Sequence, residues 1–158
     1  MSQSLEKARQ AEEKGKTKIA AQLYLEAGKE LATQGENKNS KEALMKAIVN
    51  AENAQISEII IEAIFEYLKL AEKNEKKNIV SRAIKPLDEL IEIAETKNQF
   101  DNLVDFYGKK ITLLEIMGEN TVDIKIKLGQ TYQKISQKYL CSKKTEERNI
   151  SKNATEKS

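Results

Sequence analysis

Three carboxylates at helical spacing, Asp88, Glu92 and Glu95, are the residues of this chain that come nearest to a metal site. Residues three and four positions apart lie on one face of an α-helix, and carboxylate oxygens bind hard cations such as Ca²⁺ and Mg²⁺. Charged side chains on a solvated helix face are nevertheless the norm for surface helices. We therefore expect no metal at this position.

Other catalytic groups are scarce. The chain has no histidine, which removes the commonest general base and metal ligand, and its single cysteine, Cys141, cannot form a thiolate metal site alone. Gly15-Lys16-Thr17 matches the last three residues of a P-loop, but Gln10 stands where the first glycine belongs and no strand precedes it. We expect no enzymatic activity and no cofactor.

Composition favours a helical interaction protein. Of 158 residues, 33% are charged and 39% hydrophobic, with one proline, which is typical of amphipathic helices. The net charge of +2 gives no general attraction to nucleic acid. No apolar run approaches the ~20 residues of a membrane span, and the charged opening stretch does not resemble a signal peptide. With one cysteine the fold cannot depend on disulfides, so a cytoplasmic location is the default expectation.

Apolar periodicity and stop signals predict an all-α fold of about seven helices. The helix expected to contain Pro86 should be kinked or broken near Lys85. Asn39 and Glu42 have the spacing of a capping box at the start of the third helix. The polar run Lys73 to Asn78 should end the fourth. The predicted ranges are 2–14, 17–34, 40–54, 58–74, 79–97, 99–117 and 121–140.

The last 18 residues differ in composition from the rest. Residues 141–158 contain one large apolar side chain, Ile150, which is too little to offset the entropy of ordering the segment. The sequence thus predicts a helical domain at 1–140 and a disordered polar tail at 141–158.

Three tyrosines recur in the helical part. Tyr24, Tyr67 and Tyr107 are separated by 43 and 40 residues, and each lies within an apolar helical stretch. Periods of this size indicate an α-solenoid, in which helical hairpins bury their apolar faces by stacking. The alternative, a helical bundle in which the tyrosine spacing is coincidence, stays open.

Aligned on these tyrosines, the chain resembles the tetratricopeptide (TPR) repeat. Small or apolar residues stand four positions before each tyrosine, and a late helix carries Leu128-Gly129 with Tyr132. The signature tryptophan and the proline after the second helix are missing, and Ile91 and Lys110 stand where small residues belong. The chain is therefore most similar to looser TPR-like superhelices such as the soluble NSF-attachment proteins. This resemblance implies a right-handed stack of about three and a half hairpins that binds a peptide or protein segment without catalysis.

Residues 4–55 also resemble the microtubule-interacting and transport (MIT) domain, a three-helix module. The resemblance is carried by Leu23-Tyr24 in the second helix and by Asn50-Ala51-Glu52 near the end of the third, with Asn50 in place of the usual arginine. It implies binding to short motifs of ESCRT-type filament proteins, but it leaves residues 56–140 unexplained. A homo-oligomeric structural bundle is the third alternative.

The TPR resemblance also implies where a partner would bind, because the first helix of each hairpin lines the concave groove. The selected residues are more acidic than basic, which implies a basic or amphipathic partner, with Glu52, Asp88 and Glu92 at the centre of the groove. The concave face that the resemblance implies consists of Leu5, Arg9, Glu12, Ile48, Glu52, Gln55, Lys85, Asp88, Glu92, Glu95, Ile126, Gln130 and Gln133. The candidate partner-binding residues among them are Arg9, Glu12, Glu52, Asp88, Glu92, Glu95 and Gln130.

Overall fold

The computed structural model describes residues 3–156, and in that range the chain forms eight α-helices and no strand. The all-α class is confirmed, with eight helices in place of the expected seven. Residues 1, 2, 157 and 158 lie outside the described residues; residue 2 belongs to the predicted first helix, and residues 157 and 158 belong to the predicted tail. The helices are α1 (Gln3–Glu13), α2 (Thr17–Thr33), α3 (Asn37–Ala54), α4 (Ser57–Leu70), α5 (Lys73–Val80), α6 (Ile84–Thr96), α7 (Phe100–Met117) and α8 (Val122–Glu156).

The helices pack in chain order around one hydrophobic core. α1 packs on α2, α2 on α3 and α3 on α4; the chain then continues from α4 to α6, α6 to α7 and α7 to α8. Further contacts join α2 to α4 and α5 to α7. This packing is consistent with a helical bundle. The largest fully buried apolar side chains are Tyr24, Leu25, Leu44, Ile48, Ile61, Ile64, Leu87 and Leu113.

Five of the turns between consecutive helices have the same geometry, in which a carbonyl near the end of the first helix accepts a hydrogen bond of 2.8 to 3.0 Å from the backbone N–H five residues later. In three of them, which join α1 to α2, α3 to α4 and α6 to α7, this carbonyl belongs to an alanine: Ala11, Ala51 and Ala94. Four residues after each alanine the backbone is left-handed, with φ of 70°, 56° and 53° at Gly15, Gln55 and Asn98. This is the Schellman type of helix ending, which satisfies carbonyls that the helix leaves unpaired.

These turns correct the register inferred from the tyrosines. Tyr24 and Tyr107 each lie 13 residues after the alanine of their turn, but the residue 13 positions after Ala51 is Ile64. Ile64 is fully buried, whereas Tyr67, three positions further on, is half-buried. Ile64 therefore takes the place in the middle hairpin that tyrosine takes in the other two.

The region between α4 and α6 differs from the prediction. The polar run from Lys73 does not end α4 and instead lies within a new helix, α5. α4 ends before this run, at Leu70, because Ala71 is extended (ψ 144°), and Glu72 caps α5. The Glu72 side chain accepts from the first turn of α5, and the Glu75 carboxylate accepts from the Glu72 N–H at 3.3 Å. Lys41 Nζ on α3 binds the same Glu75 carboxylate at 3.1 Å, which anchors α5 to the core.

The predicted helix at 79–97 is broken rather than kinked. Residues 81–83 separate α5 from α6, a few residues before the expected position at Lys85. Pro86 is the third residue of α6, and a proline in the first turn costs no intrahelical hydrogen bond because N–H groups there have no helical partner.

The predicted capping box at Asn39 and Glu42 is wrong. α3 begins three residues before Ser40, at Asn37, and no side chain caps it. Ser40 is instead buried within the helix, and its hydroxyl donates a hydrogen bond of 2.6 Å to the Gly28 carbonyl on α2. This contact forms where α2 and α3 pack closely.

α8 continues where the sequence predicts disorder. It runs without a break for 35 residues, about 52 Å at 1.5 Å per residue. All side chains from Ser136 to Ala154 are exposed, in agreement with the few apolar residues of this segment. Helical hydrogen bonds are local and need no buried partner, and neither glycine nor proline follows Gly129 to interrupt them.

Candidate interaction surfaces

Glu12, one of the predicted partner-binding residues, binds three side chains of its own chain. The Tyr24 hydroxyl donates to its carboxylate at 2.6 Å, Lys46 Nζ lies 3.1 Å away, and Asn50 Nδ2 donates at 3.2 Å. The hydrogen bond from Tyr24 is the largest cause that holds the pKa of Glu12 below its ordinary value. Burial, followed by the bond to Glu12, raises the pKa of Tyr24. Glu12 therefore ties α1 to α2 and α3.

Glu95 has a similar internal partner. The Tyr107 hydroxyl donates to the Glu95 carboxylate at 2.7 Å, and burial together with this bond raises the pKa of Tyr107. Gln130, another predicted site residue, lines the same groove between α6, α7 and α8. The structure thus brings Glu95 and Gln130 together; the groove is lined by Glu95, Asn98, Phe100, Leu103, Tyr107, Lys127, Gln130, Thr131 and Lys134.

Glu52 and Asp88, two residues of the expected acidic centre, each pair with a cation of the chain. Arg82 binds the Glu52 carboxylate through two nitrogens, with Nε donating at 3.2 Å. Lys110 Nζ lies 2.7 Å from Asp88. Their charges are therefore largely compensated within the protein.

The two remaining predicted residues are Glu92, which is exposed on α6, and Arg9, which is exposed on α1 and whose charge acts on the Tyr24 hydroxyl. Neither of them lines the groove that contains Glu52. Of the three residues of the expected acidic centre, Glu52 lines that groove, and Asp88 and Glu92 do not.

Glu52 lies in an open groove that we call the junction groove. It forms where the end of α3 and the start of α4 meet the break between α5 and α6. Gln55 and Lys85, which belong to the concave face expected from the sequence, line the junction groove together with Glu52. The groove has both charged and apolar lining, but its apolar surface comes mainly from the half-buried Pro86, because Ile60 is only 5% exposed. The junction groove is lined by Glu52, Gln55, Ser57, Ile60, Ser81, Arg82, Lys85, Pro86 and Glu89.

Sequence reasoning missed two charged residues of the junction groove, Arg82 and Glu89. Ser57 Oγ donates to the Glu89 carboxylate at 3.0 Å, a bond between α4 and α6. Arg82 belongs to the short break between helices, which the sequence placed inside a helix. Placing the helix break at residues 81–83 from the sequence would have singled out Arg82, because a charged residue between two helices is free to reach a carboxylate on a neighbouring helix.

The described part of the chain has neither a group of metal-ligating side chains nor a membrane-spanning helix. Among residues 3–156 no three His, Cys, Asp or Glu side chains are grouped so that they could hold a metal ion. Within the same range no helix is long and apolar enough to cross a membrane. Cys141 is an exposed free thiol.

Comparison with protein-family models, with curated protein sequences and with solved structures gives no match.

Proposed function

We propose that this chain is a non-catalytic protein-interaction module, an adaptor that binds a peptide or helical segment of a partner protein in the cytoplasm. The proposed architecture is a right-handed TPR-like stack of hairpins. Two features support the stack: the main contacts join helices at most two places apart in chain order, and five of the turns between consecutive helices share one geometry.

The observation that carries the proposal is the junction groove. Lys85 and Glu89 are exposed on the first two turns of α6, and the apolar Ile60 and Pro86 lie beside them. An amphipathic segment could place an apolar side chain against Pro86 and a basic one near Glu89, whose carboxylate has no cation of the groove bound to it in the way that Arg82 binds Glu52. Such charges contribute mainly to orientation and association rate, while the apolar contact supplies affinity.

The MIT-like alternative explains only α1 to α3. In the structure α4 packs against α3 and its buried isoleucines continue the same core, so residues 56–140 extend that unit. We therefore favour an interaction surface that includes α4 and α6 over one confined to the first three helices.

A photo-crosslinking experiment tests the proposal. Lys85 is replaced by p-benzoylphenylalanine, and the same replacement at Lys38, exposed at the start of α3, serves as the control. We expect a crosslinked partner from cell extract only with the probe at Lys85. The combined variant Lys85→Glu and Glu89→Lys should lose this partner, whereas Lys38→Glu with Glu42→Lys should keep it. Equal crosslinking from position 38, or capture unaffected by the groove variant, would exclude the junction groove.

A further inference from the structure

α8 exposes an unusual amount of apolar surface. Six of its large apolar side chains are between 53% and 69% exposed, whereas the rest of the described chain has three large exposed hydrophobic residues, on three different helices. The six are Val122, Ile126, Tyr132, Tyr139, Leu140 and Ile150.

Four of the six belong to one heptad stripe. The stripe begins at Val122 and continues to Ala154 in steps that alternate between four and three residues. This alternation is the spacing of a coiled-coil seam. Tyr132 and Tyr139 flank this stripe on one side. We call it the α8 seam; its members are Val122, Ile126, Gly129, Gln133, Ser136, Leu140, Lys143, Glu147, Ile150 and Ala154.

The α8 seam faces away from the core. The side chains of α8 that are buried or half-buried on the α7 side are Ile124, Leu128, Thr131 and Ile135. At 100° per residue they lie on the opposite side of the helix from Ile126 and Leu140. The first half of α8 therefore has α7 on one side and the open seam on the other, while the side chains from Tyr139 to Ala154 are exposed all round.

We propose that two copies of this chain associate through their α8 seams as an antiparallel, two-fold symmetric pair. In the register that overlaps the whole seam, Ile126 packs against Ile150 of the second copy, Ser136 against Leu140, and Val122 against Ala154. The exposed second half of each α8 then lies on the open seam of the other copy. Because the contact is isologous, it closes at two copies.

Charge favours this direction and register. In a parallel pair each Lys143 would face Lys143 of the second copy, and each Glu147 would face Glu147. In the antiparallel register Lys143 meets Gln133 and Glu147 meets Gly129, so no like charges oppose each other in the seam. An antiparallel register that paired Leu140 with Ile150 would overlap only the second halves and leave Val122 and Ile126 uncovered.

The pair goes beyond the proposed adaptor function and is independent of it. The junction groove is formed by α3, α4 and the α5–α6 break, so pairing through α8 uses none of its residues. A dimer would carry two such grooves, and linked sites bind a multivalent partner more tightly than either site alone.

The first test is the mass of the purified full chain, measured by light scattering as a function of concentration. We expect a dimer that dissociates on dilution. Leu140→Asp should raise its dissociation constant by more than about tenfold, because it places an unpaired carboxylate in the seam. Ser142→Asp adds the same charge to α8 outside the seam and should change it little. A monomer at millimolar concentration, an open-ended series of larger species, or equal effects of the two variants would overturn the proposal.

Disulfide crosslinking tests the direction and register. In a Cys141→Ser background, one chain carries Ile126→Cys and another carries Ile150→Cys. The antiparallel pair predicts that a mixture of the two chains forms a disulfide between them, while neither chain crosslinks to itself. In the control, the second chain carries Lys152→Cys instead of Ile150→Cys. Because Lys152 lies outside the α8 seam, no disulfide should form between the two chains. Self-crosslinking of each single variant would indicate a parallel pair and overturn the proposed arrangement.

Discussion

Tyr24 and Glu12 lie on consecutive antiparallel helices, and the tyrosine hydroxyl donates a 2.6 Å hydrogen bond to the carboxylate. The same relationship recurs 83 residues later, where Tyr107 donates to Glu95 at 2.7 Å. In both cases the tyrosine body is buried in the core and the carboxylate lies at the surface. Two of the acidic residues that the sequence offered for partner binding therefore join the helices of their own hairpins.

Removal of either hydroxyl should destabilise the fold. Tyr24→Phe and Tyr107→Phe should each lower the free energy of unfolding by about 1 to 2 kcal/mol, since hydrogen bonds to charged groups exceed neutral ones but part of each carboxylate reaches water. Urea denaturation measures the change. Tyr132→Phe, at an exposed tyrosine, is the matched control and should shift stability by less than about 0.5 kcal/mol. Equal losses at all three tyrosines would contradict a specific role for the two pairs.

Stability should fall on the acid side partly through Glu12. The bond from Tyr24 holds the pKa of Glu12 below its unfolded value, so the ionised carboxylate stabilises the fold above about pH 4.3. This contribution is lost as the pH falls through the folded pKa. The stability difference between the unmodified chain and Glu12→Gln should therefore shrink as the pH falls below about 4.3.

The same acid series on a Tyr24→Phe background serves as the control. Because Tyr24 is the largest cause of the lowered pKa, the stability difference that Glu12→Gln makes should depend less on pH when the hydroxyl is absent. An unchanged pH dependence would mean that Lys46 and Asn50, rather than Tyr24, set the charge state of Glu12.

The sequence predicted the helical class and most helix positions because the signals are local. Apolar periodicity and the glycines at 15, 35 and 118 placed the ends of three helices within a few residues of the observed ones. The left-handed turns at Gln55 and Asn98 were not predicted. Glycine adopts positive φ readily and so signals such a turn in the sequence, whereas glutamine and asparagine occur mostly in other conformations. The middle hairpin was consequently aligned on Tyr67 instead of on its turn.

The candidate site was harder to predict than the fold because ion pairing is a tertiary property. Glu52 is 30 residues from Arg82, and Asp88 is 22 residues from Lys110. A sequence shows that these residues are charged, but it does not show which of them find a cation across the helix interface. Three residues of the predicted concave face, Glu52, Gln55 and Lys85, do line the junction groove. They lie at the end of α3 and the start of α6, positions that the sequence located to within a few residues.

The corrected register of the middle hairpin can be tested by truncation of two side chains. Ile64 is fully buried, and Ile64→Ala should cost about 2 to 5 kcal/mol of unfolding free energy through lost burial and a residual cavity. Tyr67→Ala, three residues along the same helix, removes a larger but half-buried side chain and should cost less. Chemical denaturation of both variants gives the comparison, and a larger loss at Tyr67 would restore the register based on the tyrosines.

Two glycines in helix interiors should respond in opposite directions to the same substitution. A Cβ at Gly28 would lie 2.6 Å from Cγ and Cδ2 of Leu44, and Leu44 is fully buried, so it has little room to move. Gly28→Ala should therefore lose about 1 to 3 kcal/mol to overpacking, which outweighs a helix-propensity gain of up to about 1 kcal/mol. A Cβ at Gly108 would meet nothing within 4 Å, so Gly108→Ala should keep most of that gain and stabilise the protein.

Thermal and urea unfolding of the two variants measure the sign of each change. The double variant Gly28→Ala with Leu44→Ala tests the cause, because truncation of Leu44 removes the clash and the new methyl group fills part of the space it leaves. Its loss of stability should be smaller than the sum of the two single losses, as expected for residues in contact. Additive losses, or a stabilising Gly28→Ala, would show that α2 and α3 can separate at Gly28 without cost, and that the buried bond from Ser40 to its carbonyl does not fix their distance.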